Sequence, residues 1–475
     1  MSTPARFARL VALTGLSVFM ASGLAVAQFG GQPSQTAPKQ DLSLPESASR
    51  FQPLHVAALK GDVLAIQDEL DKGVDVNMRV ERGFFSGATA LMLAARDADA
   101  ATMLYLIERG ADATARDDAR RSVLMWASST EGTVEKINMA LQHGALPDPR
   151  SQDGATALHW AAGLGKDPAM VKALIDGGAS IDIADDRGRT PLMTAARVGN
   201  AGATEYLLAA GADRSRKSPQ GLNALHWAAE GNDGNAETVA VLLDAGMAVE
   251  SRAADGSTPL IIASLNGRTS QIVELLARGA DVDAVNTWGL TPLMAVATNG
   301  SPDAVKAILD ADPDIDAQDQ AGRVALHYSV AKGNGVVTAM IARRNPNPNI
   351  ADNDGWMPIH MARTMSTLDP LVRMGADVNA RCGVTQYPDW TPLMFASATG
   401  NTFMVRCLVN ADADPMIETE EQVNAMRIAL ALEYADGSNP IAEILREAVA
   451  KRQAVEEAEA LRERQEQRLN PGSMP

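Results

Sequence analysis

Thr190-Pro191-Leu192-Met193-Thr194-Ala195-Ala196 decides the fold of this chain, together with the Gly199-Asn200, Tyr206-Leu207-Leu208 and Gly211-Ala212-Asp213 that follow it. Thr190 and Pro191 start a helix, with Pro at the first position, where its missing N–H is no loss. The small apolar run after them predicts a helix packed closely against neighbours. Gly199-Asn200 breaks that helix. A second one runs through Tyr206-Leu207-Leu208 and ends at Gly211, where a left-handed glycine closes the last turn. The chain then leaves through Asp213 toward a turn at Pro219 to Gly221.

The same order returns twelve times, aligned on Gln52, Thr89, Ser122, Thr156, Thr190, Asn223, Thr258, Thr291, Val324, Met357, Thr391 and Asn424, at steps of 33 to 37 residues. A fixed period of this size means a solenoid of stacked helix pairs, which offers an extended surface rather than a closed pocket. Local signals agree with the period. Asp167-Pro168, Ser301-Pro302, Asp369-Pro370 and Asn439-Pro440 read as an N-cap followed by Pro at the start of a second helix. The closing glycine recurs as Gly73, Gly110, Gly144, Gly178, Gly246, Gly279 and Gly375, and three repeats put Asp312, Asn345 or Asp412 in its place. Asn and Asp are the residues next best able to enter a left-handed backbone, so these exceptions fit the pattern.

The signature Thr-Pro-Leu-His-x-Ala-Ala, then Gly, then a Leu-Leu helix, then an ending such as Gly279-Ala280-Asp281-Val282-Asp283 or Gly375-Ala376-Asp377-Val378-Asn379, resembles the ankyrin repeat family. The resemblance covers residues 49–450 in about twelve repeats. It implies an all-α solenoid of stacked helix-turn-helix repeats, with the inter-repeat segment projecting as a β-hairpin finger. It also implies a non-catalytic protein-binding role, with the finger tips and the ends of the first helices facing the groove. His55, His159, His226, His327 and His360 share one slot of the repeat. In the family that His is structural, bonding the backbone that joins neighbouring units. Side chains in one slot lie about one helix spacing apart, too far to share a metal held by ~2 Å bonds. His143 stands alone beside Gly144 at a helix end.

Outside the repeats, Arg6 and Arg9 precede an apolar run from Leu10 to Val26, with Ala25-Val26-Ala27 before Gln28. This reads as a secretory signal peptide over residues 1–27, cleaved after Ala27, which makes the mature chain periplasmic or secreted with no further membrane span. Residues 28–48, rich in Gln, Pro and Ser, read as a flexible linker. Residues 451–475 read as a charged helical tail. The chain carries −17, and its first 27 residues hold two arginines and no acid, leaving −19 after cleavage. That acidity opposes nucleic-acid binding and is compatible with a basic protein partner. Cys382 falls in a finger and Cys407 in a second helix, so the repeat geometry predicts no disulfide between them.

No phosphate loop, paired Cys, His-Glu-x-x-His or nucleophile elbow is present, so nothing in the sequence nominates a catalytic residue, a metal or a cofactor. Asp185, Asp319 and Asp352 recur at the turn before a repeat, where an Asp side chain caps its own turn. The candidates for partner contact are aromatic. Trp288 lies just before a phrase, and Trp356 and Trp390 immediately precede the Thr slot, a position expected to be exposed. Leu222 and Leu290 occupy that same slot and extend the expected apolar strip. Two fingers, 80–87 and 382–390, run about four residues over the pattern, and solenoid insertions map to one face, often the binding face. They place Phe84, Phe85 and Tyr387 as anchors. Trp126, Trp160 and Trp227 follow the His slot inside the first helix and are expected in the core. An alternative reading is an accessory or assembly subunit of an exported enzyme or redox complex.

Overall fold

The structure, a computed structural model, describes residues 51–469 apart from 166, 233–234, 384–386 and 433–437. The expected signal peptide and linker lie outside the described residues. The described residues are helical, and they group into two compact units that divide between Thr287 and Trp288.

Seven repeats make up the first unit. Their first helices are Pro53–Lys60, Ala90–Asp97, Val123–Ala127, Ala157–Leu164, Pro191–Val198, Ala224–Glu230 and Pro259–Leu265. Each is followed by a second helix of eight or nine residues, such as Ala201–Ala209 or Thr269–Ala277. The second unit holds five repeats, with first helices at Pro292–Asn299, Ala325–Ala331, Pro358–Met361, Pro392–Ala398 and Ala425–Leu430. Its last second helix is the long Pro440–Leu469, in which Ile441, Ala442 and Leu445 are buried while residues 450–462 are exposed.

The repeated Thr does the work of an N-cap. Thr190 Oγ1 accepts from Met193 N–H (3.3 Å), and Thr89, Thr258, Thr291 and Thr391 do the same three residues on. Each bond satisfies one of the helix's orphan donors. Alanines at the facing positions, among them Ala58, Ala95, Ala195 and Ala228, are wholly buried, because helices this close leave no room for more. At the far end of each pair the left-handed residue appears as expected. Gly211 has φ 90° and Gly279 has φ 82°, while Asp312, Asn345 and Asp412 take φ 56°, 56° and 66°.

Two local expectations fail. Asp369-Pro370 does not start a helix; the second helix of repeat ten begins earlier, at Met365, with Pro370 inside it and Asp369 paired to Arg373. The reason is that this repeat is short. Its first helix has shrunk to a single 3₁₀ turn, Pro358–Met361, and the chain enters the second helix at once through Thr364. The fingers, too, are shorter than strands. Each is closed by one backbone bond of the kind Asp185 N–H to Arg189 O (2.8 Å), and the β pairing among the described residues is limited to isolated bridges at Arg79–Thr89 and Arg116–Ser122.

Beside the apolar contact between helices, a set of polar bonds joins one repeat to the next. His159 Nδ1 accepts from its own N-cap N–H, Thr156 (3.1 Å), and its Nε2 lies 2.9 Å from Arg189 O of the following finger. His327 and His360 repeat the pattern with Trp356 O (2.9 Å) and Ala380 O (3.0 Å), and His55 and His226 reach Met78 O and Ser251 O. In His159, His226, His327 and His360 the Nδ1 accepts a backbone N–H, which leaves the proton on Nε2 of a neutral ring, whereas Nδ1 of His55 has no partner among the described residues. Beside them, Asp148, Asp182 and Asp316 accept the backbone N–H of Ser180, Asp213 and Asn347 one repeat on. Successive fingers add one backbone bond each, as in Gln152 N–H to Ala119 O (2.9 Å) and Gln320 N–H to Trp288 O (2.9 Å). The position is filled by Pro219 in repeat six, which has no N–H to give.

Burial lowers the pKa of these imidazoles from the ordinary value of 6.5, that of His226 and His360 to about 4. A folded-state value below the unfolded one means the stability is present in full above pH 6.5 and is lost as pH falls from 6.5 through 4. For one His moved from 6.5 to about 4 the loss is on the order of 3 kcal/mol. The midpoint of thermal unfolding should therefore be flat above pH 6.5 and drop steeply by pH 4.5. Replacing His226 with Gln should flatten part of that drop; an unchanged pH profile in the variant would contradict the assignment.

Candidate partner-binding surface

The long finger at 80–87 is folded back by its own backbone, with Val80 N–H donating to Ala88 O (2.9 Å) and Gly87 N–H to Val80 O (2.8 Å). Phe85 is half-buried. Its ring lies 5.7 Å from Phe51 and stacks at 5.7 Å on Trp126. Phe84 stays 52 % exposed, with its ring edge toward Trp126 at 6.2 Å. Arg121 fixes the finger in place. It donates from Nη2 to Phe84 O (2.6 Å) and from Nε to Asp117 (2.6 Å), and its guanidinium covers Trp126 at 4.4 Å.

The second long finger does the same with a different set. Cys382 N–H donates to Trp390 O (3.0 Å), and Asp389 N–H returns to Cys382 O (2.9 Å). Tyr387 and Trp390 are only 9 % and 8 % exposed, because both rings pack on Phe395 of the next first helix, at 5.6 and 5.1 Å. Trp356 is half-buried against the other side of Phe395 at 4.8 Å. Residues 384–386 of this finger lie outside the described residues.

These placements correct the expected strip of exposed aromatics. Tyr387 and Trp390 are buried, and so are Leu222 and Leu290, at 3 % and 5 %. At Trp390 the cover comes from Tyr387 and from Phe395 of the next helix, so the ring packs rather than projects. Of the eight anchors expected, Phe84 and Trp288 (43 % exposed) remain at the surface, and Phe85 and Trp356 are partly accessible. Both cysteines are free, Cys382 buried and Cys407 half-buried. Among the described residues no group of three or more His, Cys, Asp or Glu side chains could hold a metal ion, and no helix is long and apolar enough to cross a membrane.

The row after the His slot differs from its expectation in a more useful way. Trp126 is buried as expected, but Trp160 and Trp227 are half-buried. They flank Thr194 in successive repeats, and one helical turn beyond Thr194 stands Arg197. Neither Arg197 nor the exposed Arg187 has a hydrogen bond or ion pair for its guanidinium among the described residues. Arg189 lies over Trp227 at 6.0 Å and is held by Asp185 at 2.7 Å. Arg268 Nε donates to Glu230 O at 3.3 Å. Sequence reasoning missed this cluster because arginines in three different slots share one face only once the helices are placed.

The Arg121 bridge gives a direct test. Asp117 is wholly buried, so removing its partner leaves an uncompensated charge, at a cost of about 3 kcal/mol. Arg121→Ala should lower the stability of the first unit by that order in urea denaturation followed by Trp fluorescence, while Arg121→Ala/Asp117→Ala should recover part of the loss. Equal losses in the single and double variants would show that the pair is not coupled.

Sequence comparison places this geometry in a known family. The profile described as "Ankyrin repeats (3 copies)" matches residues 54–151, 124–218, 202–286, 266–352 and 293–382, and the single "Ankyrin repeat" profile matches 389–420. The chain is similar to the B-cell lymphoma 3 protein homolog of Mus musculus, 32 % identical over 143 residues, covering 30 % of this chain and 32 % of that protein. It is similar to a palmitoyltransferase of Lachancea kluyveri, 26 % identical over 223 residues, covering 46 % of this chain and 30 % of that protein. The chain thus spans about a third of the length of these curated relatives. The solved ankyrin repeat domain of Bcl-3 aligns at 29 % identity with a TM-score of 0.40, covering 46 % of this chain and 99 % of that one. Ankyrin repeats are protein-binding modules, typically without catalysis of their own. The chain belongs to the ankyrin repeat family.

Proposed function

We propose that the protein is an exported, non-catalytic scaffold that binds a protein partner through its fingers and first-helix face. The observation that carries this reading is the exposure of large aromatics at finger tips, Phe84 in one unit and Trp288 in the other, in a family whose repeats bind proteins. An exposed aromatic at the centre of a contact is the usual anchor of such a complex. Close packing of the repeats within each unit lowers the ordering cost of binding. Export rests on the apolar run from Leu10 to Val26 behind Arg6 and Arg9, with cleavage after Ala27. The mature chain then lies in the periplasm or outside the cell.

Affinity capture of the mature chain from the envelope and secreted fractions of its own cells, read by mass spectrometry, tests the proposal. A dominant protein partner is expected, along with an N-terminus at Gln28. Phe84→Ala/Trp288→Ala should weaken capture by about tenfold or more. An exported enzyme as the captured partner would make the protein an accessory subunit of that enzyme. Capture that is indifferent to both substitutions would show that the fingers are not the contact.

A further inference from the structure

The face built around Trp160, Thr194 and Trp227 carries an unusual charge balance. The chain as a whole is −17, yet Arg187, Arg189, Arg197 and Arg268 gather here against Asp185 and Glu230. Asp186, next to Arg187, is already engaged by Arg150 at 2.9 Å. Asp185 is taken up by Arg189, and Glu230 is half-buried among three arginines. Arg197 is left half-buried, attracted by Glu230 but repelled by Arg189 and Arg187, with no hydrogen bond to its guanidinium among the described residues. A guanidinium in that position lacks the charge-assisted partners that such groups ordinarily find. The indole N–H of Trp227, whose ring lies under Arg189, also has no acceptor among the described residues.

We propose that this face, from Trp160 to Arg268, is the docking site for an acidic, extended segment of the partner protein, whose carboxylates meet Arg187 and Arg197 while its flanking side chains lie on Trp160 and Trp227. The proposal rests on the protein-binding reading above and specifies the chemistry of what is bound. Charge complementarity selects the occupant. Arg presents a planar fork matched to carboxylate, and a Trp face gives the adjoining residues a flat apolar support. Repeats about one helix spacing apart place the two Trp rings some 20 Å from end to end, which suits about six residues of extended chain. At contact the local arginines outweigh the remote acids, because charges more than about 8 Å away are largely screened at physiological salt.

The test uses the full-length chain and a fluorescein-labelled random copolymer of glutamate and tyrosine, followed by fluorescence anisotropy, with polylysine as the opposite-charge control. The copolymer should bind and polylysine should not bind to this face. Arg187→Glu/Arg197→Glu should weaken copolymer binding by about tenfold or more, because two carboxylate contacts are reversed in sign. Arg109→Glu/Lys172→Glu makes the same change in net charge on exposed second-helix positions and should leave binding within about twofold. Neither Arg187 nor Arg197 holds a structural bond, so Arg187→Glu/Arg197→Glu should keep the wild-type circular dichroism, and the control, which gives up the exposed Lys172–Asp176 pair, should keep it too. Equal weakening by the two double variants, or no copolymer binding, would overturn the proposal. Displacement of the copolymer by millimolar inorganic phosphate would also overturn it, in favour of a small-anion site. A captured partner that holds Arg187→Glu/Arg197→Glu as tightly as wild type would reject this site but leave the protein-binding reading standing. Copolymer binding lost in that variant, with no partner captured from cells, would do the reverse.

Discussion

A helix pair of this size cannot bury its own apolar face, so everything depends on how one repeat is fastened to the next. In the five repeats whose slot holds His, part of the fastening runs through an imidazole bridge. His159, His327 and His360 each accept from the N-cap backbone of their own helix and donate to a carbonyl in the following finger. One ring thus settles a helix start and a finger base together. The bridge works only while the ring is neutral, because a protonated Nδ1 would face an N–H. Burial supplies that condition, and it also makes the stack sensitive to acid.

The remaining links follow the same economy of polar groups. Asn200, Asn235 and Asn334 cap their own second helices or border them, and they donate back to carbonyls of the previous repeat, Ala162, Ala196 and Gly300. Lys136 does this with an ammonium, bonding Arg96 O and Glu131 O, and burial lowers its pKa. Much of the chain's acidity is spent here too, on turns and on the backbone N–H groups of the next repeat. The net charge therefore describes the scaffold more than the partner. The two long fingers solve a different problem. Longer loops carry more backbone to hold, and each is anchored by aromatic rings packed on a later first helix, at Trp126 two repeats on in one unit and at Phe395 of the next helix in the other.

The period made the fold legible before any local feature was weighed, and the caps confirmed it down to Asp312, Asn345 and Asp412 in left-handed backbone. These are local effects, readable from a residue and its neighbours. Burial at the slot before the phrase Thr was not legible. Leu222, Leu290 and Trp390 are buried, and for Trp390 the cover is Tyr387 and Phe395, rings whose placement depends on the folding of the long finger onto the next helix. Repeat ten misled for a related reason. A missing turn moved the start of the second helix upstream, and Pro370, which alone reads as a beginning, ended up inside. The cluster of Arg187, Arg189 and Arg197 was hidden because three slots of the repeat converge only in three dimensions.

The most direct test of the central claim is a long-range ¹⁵N–¹H correlation spectrum of the imidazoles, recorded from pH 7.5 to 5. The account predicts that His159, His226, His327 and His360 appear as the neutral Nε2–H tautomer throughout that range. Imidazolium signals from those four rings at pH 6, in a chain whose circular dichroism is still native, would contradict it. The stack would then be held by something other than the bridge described here.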